Sequence, residues 1–209
     1  MTKLSMSLYR HSFMLHDQFE TPDCHQAIWV ESGSVDVGGS TAFAGEGHYV
    51  APNDIISATK SSKFIRFEIA ASESSSAAPG PSEMVLRGKL MLESGPVFLR
   101  LDQVTFPAKA RAYRHIHPGP GIRYLTCGAL EIKSDTHTDI MQPGQAWFED
   151  ANSPVQATAQ EIETSAFVRA MVLPLTYEGK PTIKLLNPDD LQKPALQTNK
   201  RFFDQRIAL

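Results

Sequence analysis

The chain has 209 residues, 42% hydrophobic and 21% charged, with 20 Lys and Arg against 23 Asp and Glu. That length supports one large domain or two small ones with a sizeable core, and a net charge of −3 with a pI near 6.2 leaves no basic footprint for nucleic acid or an anionic membrane. Cys24 and Cys127 make no disulfide framework, no apolar run approaches the roughly 18 residues of a membrane span, and the N-terminus has no apolar core leading to a cleavage site, so a cytoplasmic protein is expected.

Alternation over residues 8 to 19, with Phe13, Leu15 and Phe19 among polar neighbours, predicts a first strand. Gln26 to Gly39 reads as a β-run, a Gly turn, a short alternating strand and another Gly turn, which is a hairpin signal. Gly45-Glu46-Gly47 leads into His48-Tyr49-Val50, and Lys63 to Ile69 alternates again. Short strands with Gly and Pro turns at close spacing predict a sandwich or barrel. Residues 71–82 are small, polar and Pro/Gly-rich, the composition of a linker.

The second half repeats this grammar. Gly128-Ala129-Leu130-Glu131-Ile132-Lys133 parallels Gly33 to Val37, Gly144 to Glu149 parallels Gly45 to Val50, and Ser165 to Leu173 parallels Lys63 to Ile69. Order holds while loop lengths differ, so an internal duplication is expected. The tail is punctuated by Pro181, Pro188 and Pro194 and ends in a stretch that carries Phe202, Phe203, Ile207 and Leu209, so it is expected to dock on the body or on a second subunit.

The stretch Tyr113-Arg114-His115-Ile116-His117, followed by Pro118-Gly119-Pro120-Gly121, carries the chemistry. Residues i and i+2 of a strand share a face, so His115 and His117 present both imidazoles to one space, and histidine is the commonest metal ligand. Trp147 and Glu149 share a face in the same way. The bland alternatives are a solvated histidine pair and an ion pair between Glu149 and Arg123 in place of a metal. His25 and His48 are candidates for a remnant site in the first half, and His11, His16 and His137 have no partner at telling spacing. Cys127, in an apolar strand, reads as a small buried residue.

His-x-His, a short gap, a β-run ending in Gly and a Gly-led strand ending near Pro154 together resemble the cupin superfamily. The resemblance covers residues 8 to 175. It implies an all-β fold of two double-stranded β-helix (jelly-roll) barrels in tandem: 8–70 an N-terminal barrel, 71–82 a linker, 83–175 a C-terminal barrel and 176–209 the docking tail. His115 and His117 match two ligands of the first motif. The position of the family's glutamate falls on Gly121, and that of the second-motif histidine on Val155, so the usual four ligands are cut to two. In the first copy these positions hold Gln26 and Ile56.

Glu149 would restore a 2-His-1-carboxylate set with His115 and His117, suited to Fe(II) and acceptable to Mn, Ni or Zn. Arg123 would orient an anionic substrate by paired hydrogen bonds, with Tyr113 or Tyr124 managing protons. Two readings therefore stand beside a purely structural role. One is a metal-dependent dioxygenase, isomerase or lyase acting on a small anionic or phenolic molecule. The other is a metal-free small-molecule-binding or sensor protein. No organic cofactor is implied, and a homodimer is expected by analogy with cupins.

Overall fold

The computed structural model describes residues 3–71, 82–92 and 94–209, and the chain divides into two compact units, Met1–Leu90 and Met91–Leu209. The first holds β1 (Leu4–Phe13), β2 (Gln18–Glu20), β3 (His25–Ser32), β4 (Ser34–Val37), β5 (Ser40–Phe43), β6 (Gly47–Val50), β7 (Ile55–Ala58), β8 (Ser62–Ala71) and β9 (Ser82–Leu90). One sheet runs β6-β3-β8-β1-β9 and the other β2-β7-β4-β5. The second unit holds β10 (Val97–Phe106), β11 (Arg111–Ile116), β12 (Gly121–Cys127), β13 (Leu130–Lys133), β14 (Thr138–Met141), β15 (Ala146–Glu149), β16 (Val155–Ala159), β17 (Ser165–Pro174), β18 (Lys184–Leu185) and β19 (Thr198–Ile207). Its sheets run β15-β12-β17-β10-β19 and β14-β13-β16-β11-β18. Each unit is an all-β jelly roll, with antiparallel pairing throughout.

The two units repeat down to single hydrogen bonds. Ser62 Oγ accepts from the Ser34 amide at 2.8 Å, and Ser165 Oγ accepts from the Ala129 amide at 3.1 Å. The preceding glycines, Gly33 and Gly128, have φ of +82° and +71°. A Cβ on either would meet the serine Oγ at 2.3 or 2.4 Å, so no other residue fits. Gly45 and Gly144 recur at φ +81° and +87°, and Asn53 and Asn152 both stand at +58°. Register then equates Arg66 with Arg169, since Arg66 faces Ile28 and Tyr9 while Arg169 faces Arg123 and Asp102.

The cores lie between facing sheets. Phe13, Phe19, Ile28, Val35, Ile56 and Phe64 fill the first, and Phe106, Leu125, Leu130, Ile132, Val155 and Phe167 the second. Two boundaries differ from the sequence reading. The strand expected over residues 8–19 is two, β1 and β2, separated by a turn in which His16 takes φ +72°. Ser82 to Leu90, assigned on sequence to the end of the linker and the start of the second barrel, pairs along β1 of the first and covers what would be a ten-residue open edge. The expected linker falls largely on 72–81, which lies outside the described residues. In the second unit the tail supplies the corresponding edge strand, β19 on β10, and both pairings shift register at matched points, Leu8/Tyr9 and Leu101/Asp102.

Candidate functional site

In the second barrel a cavity of about 370 Å3 opens between the sheets. Its apolar wall includes Val104, Phe106, Ala112, Ile132, Trp147 and Phe167, and its polar floor Asp102, His115, His117, Arg123, Glu149 and Arg169. Residues of the tail, among them Thr182, Gln197 and Asn199, complete the lining.

Strand alternation and the Pro118-Gly119-Pro120 turn bring the two histidines together. His115 and His117 are both buried, with Nε2 atoms 3.1 Å apart. His115 Nδ1 donates to the Tyr113 carbonyl at 2.7 Å, and His117 Nδ1 donates to the Thr182 carbonyl at 3.1 Å. A carbonyl only accepts, so both rings carry their proton on Nδ1 and leave Nε2 bare. Burial, above all, lowers the pKa of each ring; the Arg169 and Arg123 charges add to it, and His117 is held well below its usual value. Two neutral rings therefore set unprotonated Nε2 atoms 3.1 Å apart on the floor.

The charged residues around them are already engaged. Arg169 grips Asp102 with Nε and Nη2 at 2.7 and 2.9 Å, and its Nη1 reaches His117 Nε2 at 3.3 Å. Asn199 of β19 adds a 2.8 Å bond to Asp102. Arg123 pairs with Glu149 at 2.7 Å and donates to the Gly121 carbonyl at 2.7 Å. Burial brings the Arg123 pKa down to about 10, with the Glu149 charge opposing the shift. Trp147 Nε1 occupies the other Glu149 oxygen at 2.8 Å.

The sequence-nominated residues therefore separate. His115, His117, Arg123 and Glu149 do line one cavity. The expected metal set of His115, His117 and Glu149 is not assembled: among the described residues no group of three or more His, Cys, Asp and Glu side chains could hold a metal ion. The Nε2 separation alone would suit two neighbouring ligands on one ion at about 2.1 Å, but the Glu149 carboxylate is bonded to Arg123 and Trp147, and the Arg169 guanidinium lies against His117. Two nitrogen donors beside a fixed cation do not fit a catalytic metal.

Tyr113 and Tyr124, nominated as proton carriers, do not line the cavity. Tyr113 sits under the Lys193 ammonium, 4.8 Å from its ring centre, and only its carbonyl serves the site. Tyr124 alternates with Arg123 and so faces the other side of its sheet. Gly121, at the family glutamate's position, is closed to any side chain, because a Cβ there would lie 2.1 Å from the Ala170 carbonyl. His25 and His48 form no remnant pair. Gln26 opposes Val50 and Ile28 opposes His48, so His48 shares their face while His25 lies on the other, its Nδ1 2.6 Å from the Tyr49 hydroxyl. Cys127 is exposed, not buried.

Sequence reasoning missed Asp102, Arg169, Asn199 and Thr182, and in the first barrel a buried group of His11, Gln26, Arg66 and Glu68. Arg66 donates to His11 Nε2 at 3.2 Å, contacts Glu68 at 2.6 Å and also donates to Gln26. The available signal was a lone arginine inside an apolar strand, at matching positions of the two copies.

No protein-family model matches the sequence, and no curated protein matches it. The fold is that of two tandem cupin-type jelly-roll barrels. Solved structures that share it include AerE from Microcystis aeruginosa, at 13% identity and a TM-score of 0.56 over 81% of this chain and 87% of that one. A structure described for the Mn(II) centres of Bacillus subtilis oxalate decarboxylase is 12% identical, with a TM-score of 0.60 over 92% of this chain and 74% of that one. No helix among the described residues is long and apolar enough to cross a membrane, which does not bear on membrane β-barrels.

Proposed function

We propose that this is a two-barrel cupin protein with degenerate metal motifs, whose C-terminal cavity binds a small organic molecule without a resident metal. The ligand carries an acidic head, anionic or phenolic, at the His115–His117–Arg169 floor and an apolar body against Trp147, Phe106 and Phe167. The observation that supports this best is the placement of Arg169, which supplies fixed positive charge beside His117 where a metal would supply it in a metal-dependent cupin. The lining's four arginines, Arg100, Arg123, Arg169 and Arg201, face three carboxylates, Asp102 and Glu149 in the lining and Asp204 on Arg100 and Arg201, and the one net positive charge favours an acidic head over a cation.

The test is a titration of chelator-treated protein with small aromatic acids and phenols, read by the fluorescence of Trp147 in a Trp29→Phe background. Saturable binding is expected, weakened roughly tenfold or more in Arg169→Met, since hydrogen bonds to charged groups contribute about 1.5–3 kcal/mol. Binding that Arg169→Met leaves unchanged contradicts the assignment.

A second reading draws on the 3.1 Å Nε2 separation and on a shared fold with an enzyme described by its Mn(II) centres: His115 and His117 hold a divalent ion, with Glu149 released from Arg123. It calls for stoichiometric metal that is lost in His115→Ala and His117→Ala.

A further inference from the structure

The hydrogen-bonding capacity of the floor narrows the ligand further, resting on the metal-free reading above. Both imidazoles have their Nδ1 protons committed to backbone carbonyls, Tyr113 for His115 and Thr182 for His117. Both Nε2 atoms are therefore acceptors. His117 Nε2 receives a donor from Arg169 Nη1. His115 Nε2 meets, 3.1 Å away, a His117 Nε2 that carries no proton to give, and no donor among the described residues reaches it. A buried acceptor facing another acceptor is unfavourable until a donor reaches it.

A carboxylate cannot be that donor, since when ionised it only accepts. It would set its own lone pairs against the His115 nitrogen. A phenolic or enolic hydroxyl fits: its O–H donates to His115 Nε2, while its oxygen accepts from the guanidinium beside His117. The ring of such a ligand has a matching wall in Phe106, Trp147 and Phe167, where Trp147 and Phe167 already meet edge to face at 5.3 Å. We infer that the cavity selects a hydroxyl-bearing aromatic or enol over the corresponding carboxylate, with His115 Nε2 as the residue that decides specificity.

Three probes of one shape test this on the intact, chelator-treated protein: 2-naphthol, 2-methoxynaphthalene and 2-naphthoate, followed by calorimetry and by naphthol emission, which separates the neutral from the ionised form. Naphthol is expected to bind about tenfold more tightly than the ether or the acid. In His115→Phe that preference over the ether falls to about one. Should His115→Phe not fold, His115→Gln replaces it, and the three-way comparison on the unaltered protein stands alone. An ether that binds as tightly as naphthol overturns the inference, as does a preference that survives the loss of His115. Naphthoate binding best overturns it while sparing the acidic-ligand reading. None of the three binding, or binding only after metal is restored, overturns both.

Discussion

At the scale of single residues, the site is defined by which charges are paired. Arg123 is 1% exposed, and among the described residues its carboxylate contact is Glu149 at 2.7 Å. Breaking such a pair from one side strands a buried charge and costs about 3–5 kcal/mol, whereas replacing both partners by apolar groups is often neutral. Urea unfolding followed by Trp147 in a Trp29→Phe background is thus expected to show a loss of that size for Arg123→Met and recovery of most of it in Arg123→Met/Glu149→Leu. A double variant as unstable as the single would show that the pair contributes more than mutual neutralisation.

His11 gives a pH prediction in the other barrel. Burial, reinforced by the Arg66 charge, lowers its pKa to about 3, so the folded state keeps it neutral while the unfolded chain titrates near 6.5. Below pH 6.5 the unfolded state binds the extra proton, so this contribution is complete above 6.5 and is lost as pH falls toward 3. Between pH 6.5 and 5 the first barrel, read by Trp29 in a Trp147→Phe background, should lose about 2 kcal/mol more than a His11→Gln variant. Equal pH dependence in the two proteins would remove His11 from the account.

At the scale of elements, the tail is structural to the second barrel. Arg100 of β10 is buried and is held by Asp204 of β19 through two 2.6 Å bonds, and it also donates to the Lys180 carbonyl. Asp204→Asn leaves that guanidinium without its counter-charge and is expected to cost about 3–5 kcal/mol in the same Trp147 assay, against less than about 1 kcal/mol for Glu178→Gln at the exposed Arg206 pair. The glycine-led hairpins were legible in the sequence because Gly33 and Gly128 take positive φ in their turns, a conformation that favours glycine from local sterics alone. The tail strand was not, since Thr198 to Ile207 is mostly polar and its partner β10 lies about a hundred residues away. The placement of Ser82 to Leu90 escaped for the same reason: an edge strand is assigned by its long-range partner, not by its own pattern.

At the scale of the whole molecule, one duplicated plan has been used in two ways. In the first copy the arginine at the shared position, Arg66, is packed among His11, Gln26 and Glu68, with its guanidinium 4.6 Å from the ring centre of Tyr9. In the second copy, Arg169 lines an open cavity beside two bare imidazole nitrogens. His115 and His117 were legible because a two-residue spacing on a strand imposes a shared face. Arg169 and Asp102 were not, because both lie in runs buried on both faces, where nothing local marks which side looks into a cavity. On the metal-free reading proposed above, they stand as fixed protein charges where the sequence led us to expect a metal centre. The most direct test is metal analysis of protein purified without a histidine tag and then incubated with Fe(II), Mn(II), Ni(II) or Zn(II) before desalting. Less than about a tenth of an ion per chain is expected, the same in His115→Ala and His117→Ala, because two nitrogen donors beside a guanidinium make a poor site. One ion per chain that disappears in both variants would contradict the account.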